Sequence, residues 1–274
     1  MRKPRSLILE PEQANVHSIF RCHNRTKMLE NNENKDLLLS CIKESLQNCK
    51  YIKNKLKIHA YCVMDNHFHH LIYYENGHET ISKYLHHSHT LFGIRYNRKN
   101  KKTGKFAEDR PKTCLIENHD HALRVHFYVE ANPLLAGKYK NLKQLRNDQF
   151  NSYSFYAFGI QTKFSEILTI PDWYLQLGPD EETRQLQYRK LFASYLIEMG
   201  LNTVEKMDKE SMNLADRLVC NTEFLGLSQN KIKIESCRML SFYIGNLNWR
   251  LVRMKKLKAL RKKNQRNSVK NKQN

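Results

Sequence analysis

His67 and His69 stand in the run YCVMDNHFHHLIYY, Tyr61 to Tyr74, and Tyr128 and Asn132 in the run HDHALRVHFYVEAN, His119 to Asn132. In the first run two apolar, strand-like stretches flank Asp65-Asn66. Both residue types tolerate positive φ, so the pair can make the tight turn of a hairpin. Side chains alternate along the strand that follows, so His67, His69, Leu71 and Tyr73 share one face and Phe68, His70 and Ile72 the other. Two imidazoles so placed have Cα atoms roughly 7 Å apart, close enough for both rings to meet one metal ion. An isolated His-x-His is more often a pair of ordinary histidines on a half-buried sheet face. In the second run Tyr128 and Asn132 are one turn apart on a common helix face. An asparagine oxygen is a neutral donor suited to Mg²⁺ or Mn²⁺. A phenol, with a pKa of about 10, is a weak nucleophile at neutral pH. A metal on a scissile phosphate can neutralise its charge and align phosphorus for attack. A phosphotyrosine formed by such an attack would conserve the bond energy for rejoining, which agrees with the lack of any GxxxxGK[ST] phosphate loop.

The surrounding chain must supply the elements that hold these residues. Asn15 to Cys22, NVHSIFRC, reads as a first strand. Asn34 is placed to cap a helix running to about Tyr51, with Leu38, Cys41, Ile42, Ser45 and Cys49 on one stripe. After the hairpin, Glu79 to Asn97 has helical spacing: Ile81, Tyr84, Leu85, Leu91 and Phe92 on one side, His86, His87 and Arg95 on the other. Lys112 to Glu117 reads as a further strand. Asn118 is placed to cap the tyrosine helix, which is expected to end near Asn132 because Pro133 disfavours helix in the residue before it. The order strand, helix, strand pair, helix, strand, helix predicts an α+β fold, an antiparallel sheet with helices packed on it. Ser152 to Gly159, SYSFYAFG, reads as an aromatic turn region. Short helical spacing over Pro171 to Gly178 and longer spans over Glu181 to Met199, Val204 to Val219 and Glu235 to Lys263 predict a helical second half. The expected division is 1–160 and 161–274, the latter ending in a basic, disordered tail with no acidic residue after Arg250.

Composition narrows the partner. The 274 residues carry a formal charge of +20 and a pI of about 9.6, which favours a polyanion, nucleic acid first. Hydrophobic residues make up 40% and the mean hydropathy is −0.72, enough for a core beneath a very polar surface. No apolar run is long enough to span a bilayer, and Leu7 to Leu9 is too short for a secretory signal. The seven cysteines are scattered without CxxC pairs, which implies a reduced, intracellular protein with neither a zinc knuckle nor a disulfide framework. Two further His-x-His triplets, His87/His89 and His119/His121, lie on a helix or at its start. There, side chains two apart do not face one another, so a metal role is disfavoured.

Taken together, His67-Phe68-His69 inside VMDNHFHHLI and Tyr128 to Gly137, YVEANPLLAG, resemble the REP-associated tyrosine transposases of the single-tyrosine HUH superfamily. Asn15 to Arg25, Gly104 to Ile116 with Arg110, SYSFYAFG, and Pro171-Asp172-Trp173 are similar as well, so the resemblance covers roughly residues 1–190. It implies a ferredoxin-like antiparallel sheet flanked by helices, the HUH fold, to which this chain adds a helical basic C-terminal extension. It implies His67, His69 and Asn132 as ligands of Mg²⁺ or Mn²⁺ and Tyr128 as the nucleophile. The implied activity is that of a DNA transposase and endonuclease. It would cleave and rejoin single-stranded DNA at hairpin-associated sites through a 5′-phosphotyrosine. The implied protein is cytoplasmic and nucleoid-associated, a monomer or homodimer, with single-stranded or hairpin DNA as partner and no membrane. Asp65 stands where the family usually has proline and can add charge near the metal, and Leu134-Leu135 stands where it usually has Val-Arg. The competing expectation is a catalytically inactive DNA-hairpin or RNA-binding protein using the same basic face.

Overall fold

The computed structural model describes residues 11–116 and 119–199. Its first half runs β1 (Ala14–Arg21), α1 (Asn32–Asn48), β2 (Leu56–Val63), β3 (His67–Tyr74), α2 (His78–Lys99), β4 (Lys112–Ile116) and α3 (His119–Leu135). The strands form one four-stranded sheet in the order β2-β3-β1-β4, with every neighbouring pair antiparallel. This is the ferredoxin-like arrangement. Its consequence is that β1 lies between β3 and β4, so the first strand becomes the direct neighbour of the histidine strand.

Register divides the sheet into two faces. Val16, Phe20, Ile58, Phe68, Ile72 and Tyr74 pack with Leu38, Leu39 and Ile42 of α1 and Ile81, Tyr84 and Phe92 of α2 in the main core. On the other face Arg21 stands opposite His67, Ile19 opposite His69 and His17 opposite Leu71. Helix α3 packs across this second face against β2 and β3. The period-two pattern of both strands therefore sends one set of side chains into the core and presents the other to the tyrosine helix.

Some local expectations change. Asn31, not Asn34, caps α1: its Oδ1 accepts from the Asn34 amide at 2.8 Å, while Asn34 Nδ2 donates inward to the Met28 carbonyl. The β2–β3 turn takes Met64 to Asn66, and neither Asp65 nor Asn66 is among the described residues with positive φ. Backbone bonds from Cys22 N to Asn66 O and from Leu29 N to Asp65 O pin this turn to the segment after β1, so tertiary pairing replaces a tight two-residue turn. Helix α3 continues through Pro133 to Leu135. The segment SYSFYAFG is largely helical: α5 (Tyr153–Phe158) follows the short α4 (Leu142–Arg146) and ends at Gly159, whose φ of 66° is the left-handed conformation glycine adopts without a Cβ clash.

Beyond it, α6 (Asp172–Leu175) and α7 (Glu181–Glu198) pack on α3. The described residues all fall in one compact unit, 1–219; the second, 220–274, lies outside them. So do the Asn118 cap, the helices expected over 204–219 and 235–263, and the basic tail. Among the described residues no helix is long and apolar enough to cross a membrane.

Candidate active site

Strands β1 and β3 and helix α3 bring four rings together. The His67 and His69 rings project from one face of β3 with centroids 4.8 Å apart and planes at 73°. His17, from β1, places its Nε2 3.0 Å from His69 Nδ1. Tyr128, from α3, meets both His17 and His69 edge-on, with centroids 5.6 and 5.7 Å away. The sequence-predicted histidine pair and tyrosine thus converge, although they lie on different elements. His69 is 3% exposed, so the cluster floor is closed to bulk water.

Asn132 follows Tyr128 by one turn and is 7% exposed. Its Nδ2 donates to the carbonyls of Tyr128 at 2.7 Å and Val129 at 3.4 Å. The amide nitrogen is thus committed to the helix, and the oxygen is the atom left for another partner. The opposite side of α3 is fixed by the fully buried Glu130. Its carboxylate accepts from Ser152 Oγ at 2.7 Å and Tyr188 OH at 2.5 Å, and lies 3.2 Å from His126 Nε2. Trp173 Nε1 donates to His126 Nδ1 at 3.4 Å, so the proton of His126 sits on Nε2 and points at Glu130. Asn151 Nδ2 adds a bond to the Glu130 carbonyl. These contacts set the rotation of α3 and hence the aim of Tyr128.

Electrostatics favour neutral imidazoles and a protonated phenol. Burial, then Arg21, lowers His67 to about 4. Burial, then the neighbouring His121, lowers His17 to about 4. His69 is held well below its usual value by burial and by His17. All three are therefore neutral at pH 7, with one ring nitrogen of each free of a proton, the state a metal ligand requires. Burial raises the Tyr128 phenol, while the Arg21 guanidinium and the Asn132 side chain oppose that rise.

A divalent cation fits this donor chemistry. His67 Nδ1 lies 2.6 Å from Asn66 Oδ1. Asn66 Nδ2 already donates to the Arg25 carbonyl at 3.2 Å, so Oδ1 is the acceptor and His67 Nδ1 carries the proton. The Nε2 lone pair of His67 is then free for a cation. Among the described residues no three His, Cys, Asp or Glu side chains are gathered closely enough to hold a metal unaided. Donors beyond the histidine pair would come from an amide oxygen or from a phosphate.

Two features escaped sequence reasoning. His17 and Arg21 were legible only as parts of a strand, although alternation already places them on one face. Asp65 is tied to Lys138, which follows α3, and lies 3.5 Å from Lys35. It thus links the hairpin turn to the end of the tyrosine helix. The alternative triplet His87/His89 lies on α2, across the sheet: His87 Nδ1 meets Ser45 Oγ at 2.9 Å, and the His89 ring packs on Phe20.

No protein-family model matches the chain, and no curated protein does. Among solved structures, the chain is similar to one described as a REP-associated tyrosine transposase bound to a REP hairpin. The identity is 16%, the match covers 59% of this chain and 89% of that one, and the TM-score is 0.46.

Proposed function

We propose that this chain is a metal-dependent, single-tyrosine DNA transposase and endonuclease of the HUH type. It cleaves and rejoins single-stranded DNA beside a hairpin through a 5′-phosphotyrosine. The observation that carries the reading is the Tyr128 ring edge-on to His69, which itself neighbours His67. A lone His-x-His or a lone helical tyrosine has an ordinary structural explanation. A tyrosine beside two neutral histidines, His69 buried and His67 half-buried, supports the phosphoryl-transfer reading.

In this reading His67, His69 and Asn132 would hold Mg²⁺ or Mn²⁺. The bound metal supplies charge neutralisation and alignment of the scissile phosphate. Arg21, opposite His67 on the same sheet face, favours the phenolate and binds phosphate oxygen. The Tyr128 Oη–P bond forms as the P–O3′ bond breaks. The phenol loses a proton and the departing 3′ oxygen gains one, so the proton count balances, and the 3′ hydroxyl can later reverse the step. The net charge of +20 supplies affinity for the DNA backbone without reading its sequence. The setting that fits is a cytoplasmic protein at the nucleoid.

The test is a DNA hairpin with single-stranded flanks, incubated with the full chain and Mn²⁺. A denaturation-resistant complex is expected only when the label lies 3′ of the cut, and Tyr128→Phe should abolish it while hairpin binding persists. An adduct that survives Tyr128→Phe would remove the assignment. Tight hairpin binding by the native chain with no cleavage would favour a binding protein.

A further inference from the structure

His67 and His69 of β3 share a feature that chance neighbours would not need: each has its Nδ1 engaged by a side chain from outside the strand's own face pattern. For His67 the partner is Asn66 Oδ1, and the second hydrogen bond of that amide fixes the direction, with His67 Nδ1 as donor. For His69 the partner is His17 Nε2 at 3.0 Å. The planes of these two rings differ by only 14°, and their centroids are 5.2 Å apart. The centroid separation exceeds the nitrogen separation by about two imidazole radii, so the rings meet end to end in a common plane. That is the geometry of a linear N–H···N hydrogen bond. Two nitrogens sharing one metal would instead point their lone pairs at a third position beside the line joining them.

Resting on the metal-dependent reading above, we propose that His17 and Asn66 are the positioning residues of the metal site. Each accepts a hydrogen bond from an Nδ1–H, of His69 and His67 respectively, so that these two histidines present an unprotonated Nε2 to the cation. The direction matters. Were His17 the donor, His69 would carry its proton on Nε2 and would have no lone pair there to offer. An acceptor behind each imidazole also raises its basicity and locks its rotation, and loss of such a partner typically costs about 10- to 100-fold in metal affinity. His17 sits on β1, whose position between β3 and β4 is what brings it to His69. The device is therefore a product of strand order. Asn66 is held by the backbone bond from Cys22 to its carbonyl as well as by its amide bond to Arg25, so its oxygen is fixed before any cation arrives.

Two measurements on the full chain test this without relying on turnover. Long-range ¹H–¹⁵N spectra of the metal-free protein should show His67 and His69 protonated at Nδ1. Mn²⁺ uptake, read from the electron paramagnetic resonance of the free ion with a DNA hairpin present, should weaken 10- to 100-fold in His17→Ala and in Asn66→Ala. His17→Gln, whose amide oxygen can occupy the place of Nε2, should recover most of it. If His17→Ala does not fold, as judged by circular dichroism, Asn66→Ala and the native spectra still decide. His69 protonated at Nε2, or native-like uptake by His17→Ala and Asn66→Ala, would overturn the positioning role while leaving the metal site standing. No uptake by the native chain would overturn the metal reading itself, and the inference with it.

Discussion

Asn132 makes the hydrogen bond that Pro133 cannot. A helical residue at 133 would donate its N–H to the carbonyl of Val129, four residues back, and proline has no N–H. Asn132 Nδ2 reaches that carbonyl at 3.4 Å and the Tyr128 carbonyl at 2.7 Å. This contact accounts for a helix that runs through proline, and it leaves Asn132 two separable groups: an amide nitrogen committed to the backbone, and an oxygen that the proposed function assigns to the cation.

The two groups come apart in Asn132→Asp, which keeps an oxygen and loses the donor. Both Asn132→Asp and Asn132→Ala should lower stability by about 1–3 kcal/mol, the cost of an unsatisfied buried carbonyl. In a Pro133→Ala background, where residue 133 again has an N–H, the Asn132→Asp penalty should shrink. Urea unfolding of the four chains in that cycle reads the coupling. Additive penalties would show that Asn132 does not serve the bond missing at Pro133.

His67→Ala or His69→Ala should abolish cleavage, and EDTA should abolish it in the native chain. His87→Ala should cleave normally, because His87 lies on α2 across the sheet, against Ser45. Hairpin cleavage scored at saturating protein is the measurement. Full activity in EDTA would rule out a metal at this site.

Arg21 acts against the burial that raises the Tyr128 phenol. Arg21→Gln should therefore move the alkaline limb of the cleavage profile to higher pH and slow the reaction at neutral pH, on the order of a hundredfold for the loss of one fixed charge donor. A rate–pH profile of single-turnover cleavage checks both. An unshifted profile would leave Arg21 as a DNA-binding residue with no effect on the nucleophile.

Asp65 has its charge balanced by lysines rather than open to a cation. Burial pushes its carboxyl up, but the hydrogen bond and charge of Lys138, with Lys35, leave it lower than usual. Asp65→Asn should cost about 1 kcal/mol of stability, as for a partly exposed pair, and leave Mn²⁺ uptake unchanged. A large loss of uptake would make Asp65 a ligand after all.

His59 gives the apo protein an acid-sensitive step. Burial lowers its pKa to about 4, although its hydrogen bond to the Thr169 carbonyl opposes the shift. The unfolded chain, with an ordinary value near 6.5, binds the proton first, so between about pH 6.5 and 4 the unfolded state carries more protons. Stability should fall as pH drops through that window and be fully present above it. Melting temperatures across the window, in the native chain and in His59→Gln, test this; the variant should show the shallower slope.

Alternation, helical spacing and charge, all local properties, carried much of the molecule: the α+β class, the strand that faces His67 and His69 one way, the helix that pairs Tyr128 with Asn132, and the pull toward nucleic acid. These features repeat over a few residues, so a single chain displays them. Strand order did not have that property. Only folding placed β1 beside β3, making His17 the partner of His69 and Arg21 the neighbour of His67, because register between strands depends on which faces bury together. The passage of α3 through Pro133 also escaped local rules, since its missing hydrogen bond is made good by the Asn132 side chain, whose reach depends on rotamer and not on propensity. The burial of Glu130 against Ser152 and Tyr188 was equally hidden. A buried carboxylate is stable only with its partners in place, and those partners come from the residue before α5 and from α7, elements whose approach the tertiary structure alone decides.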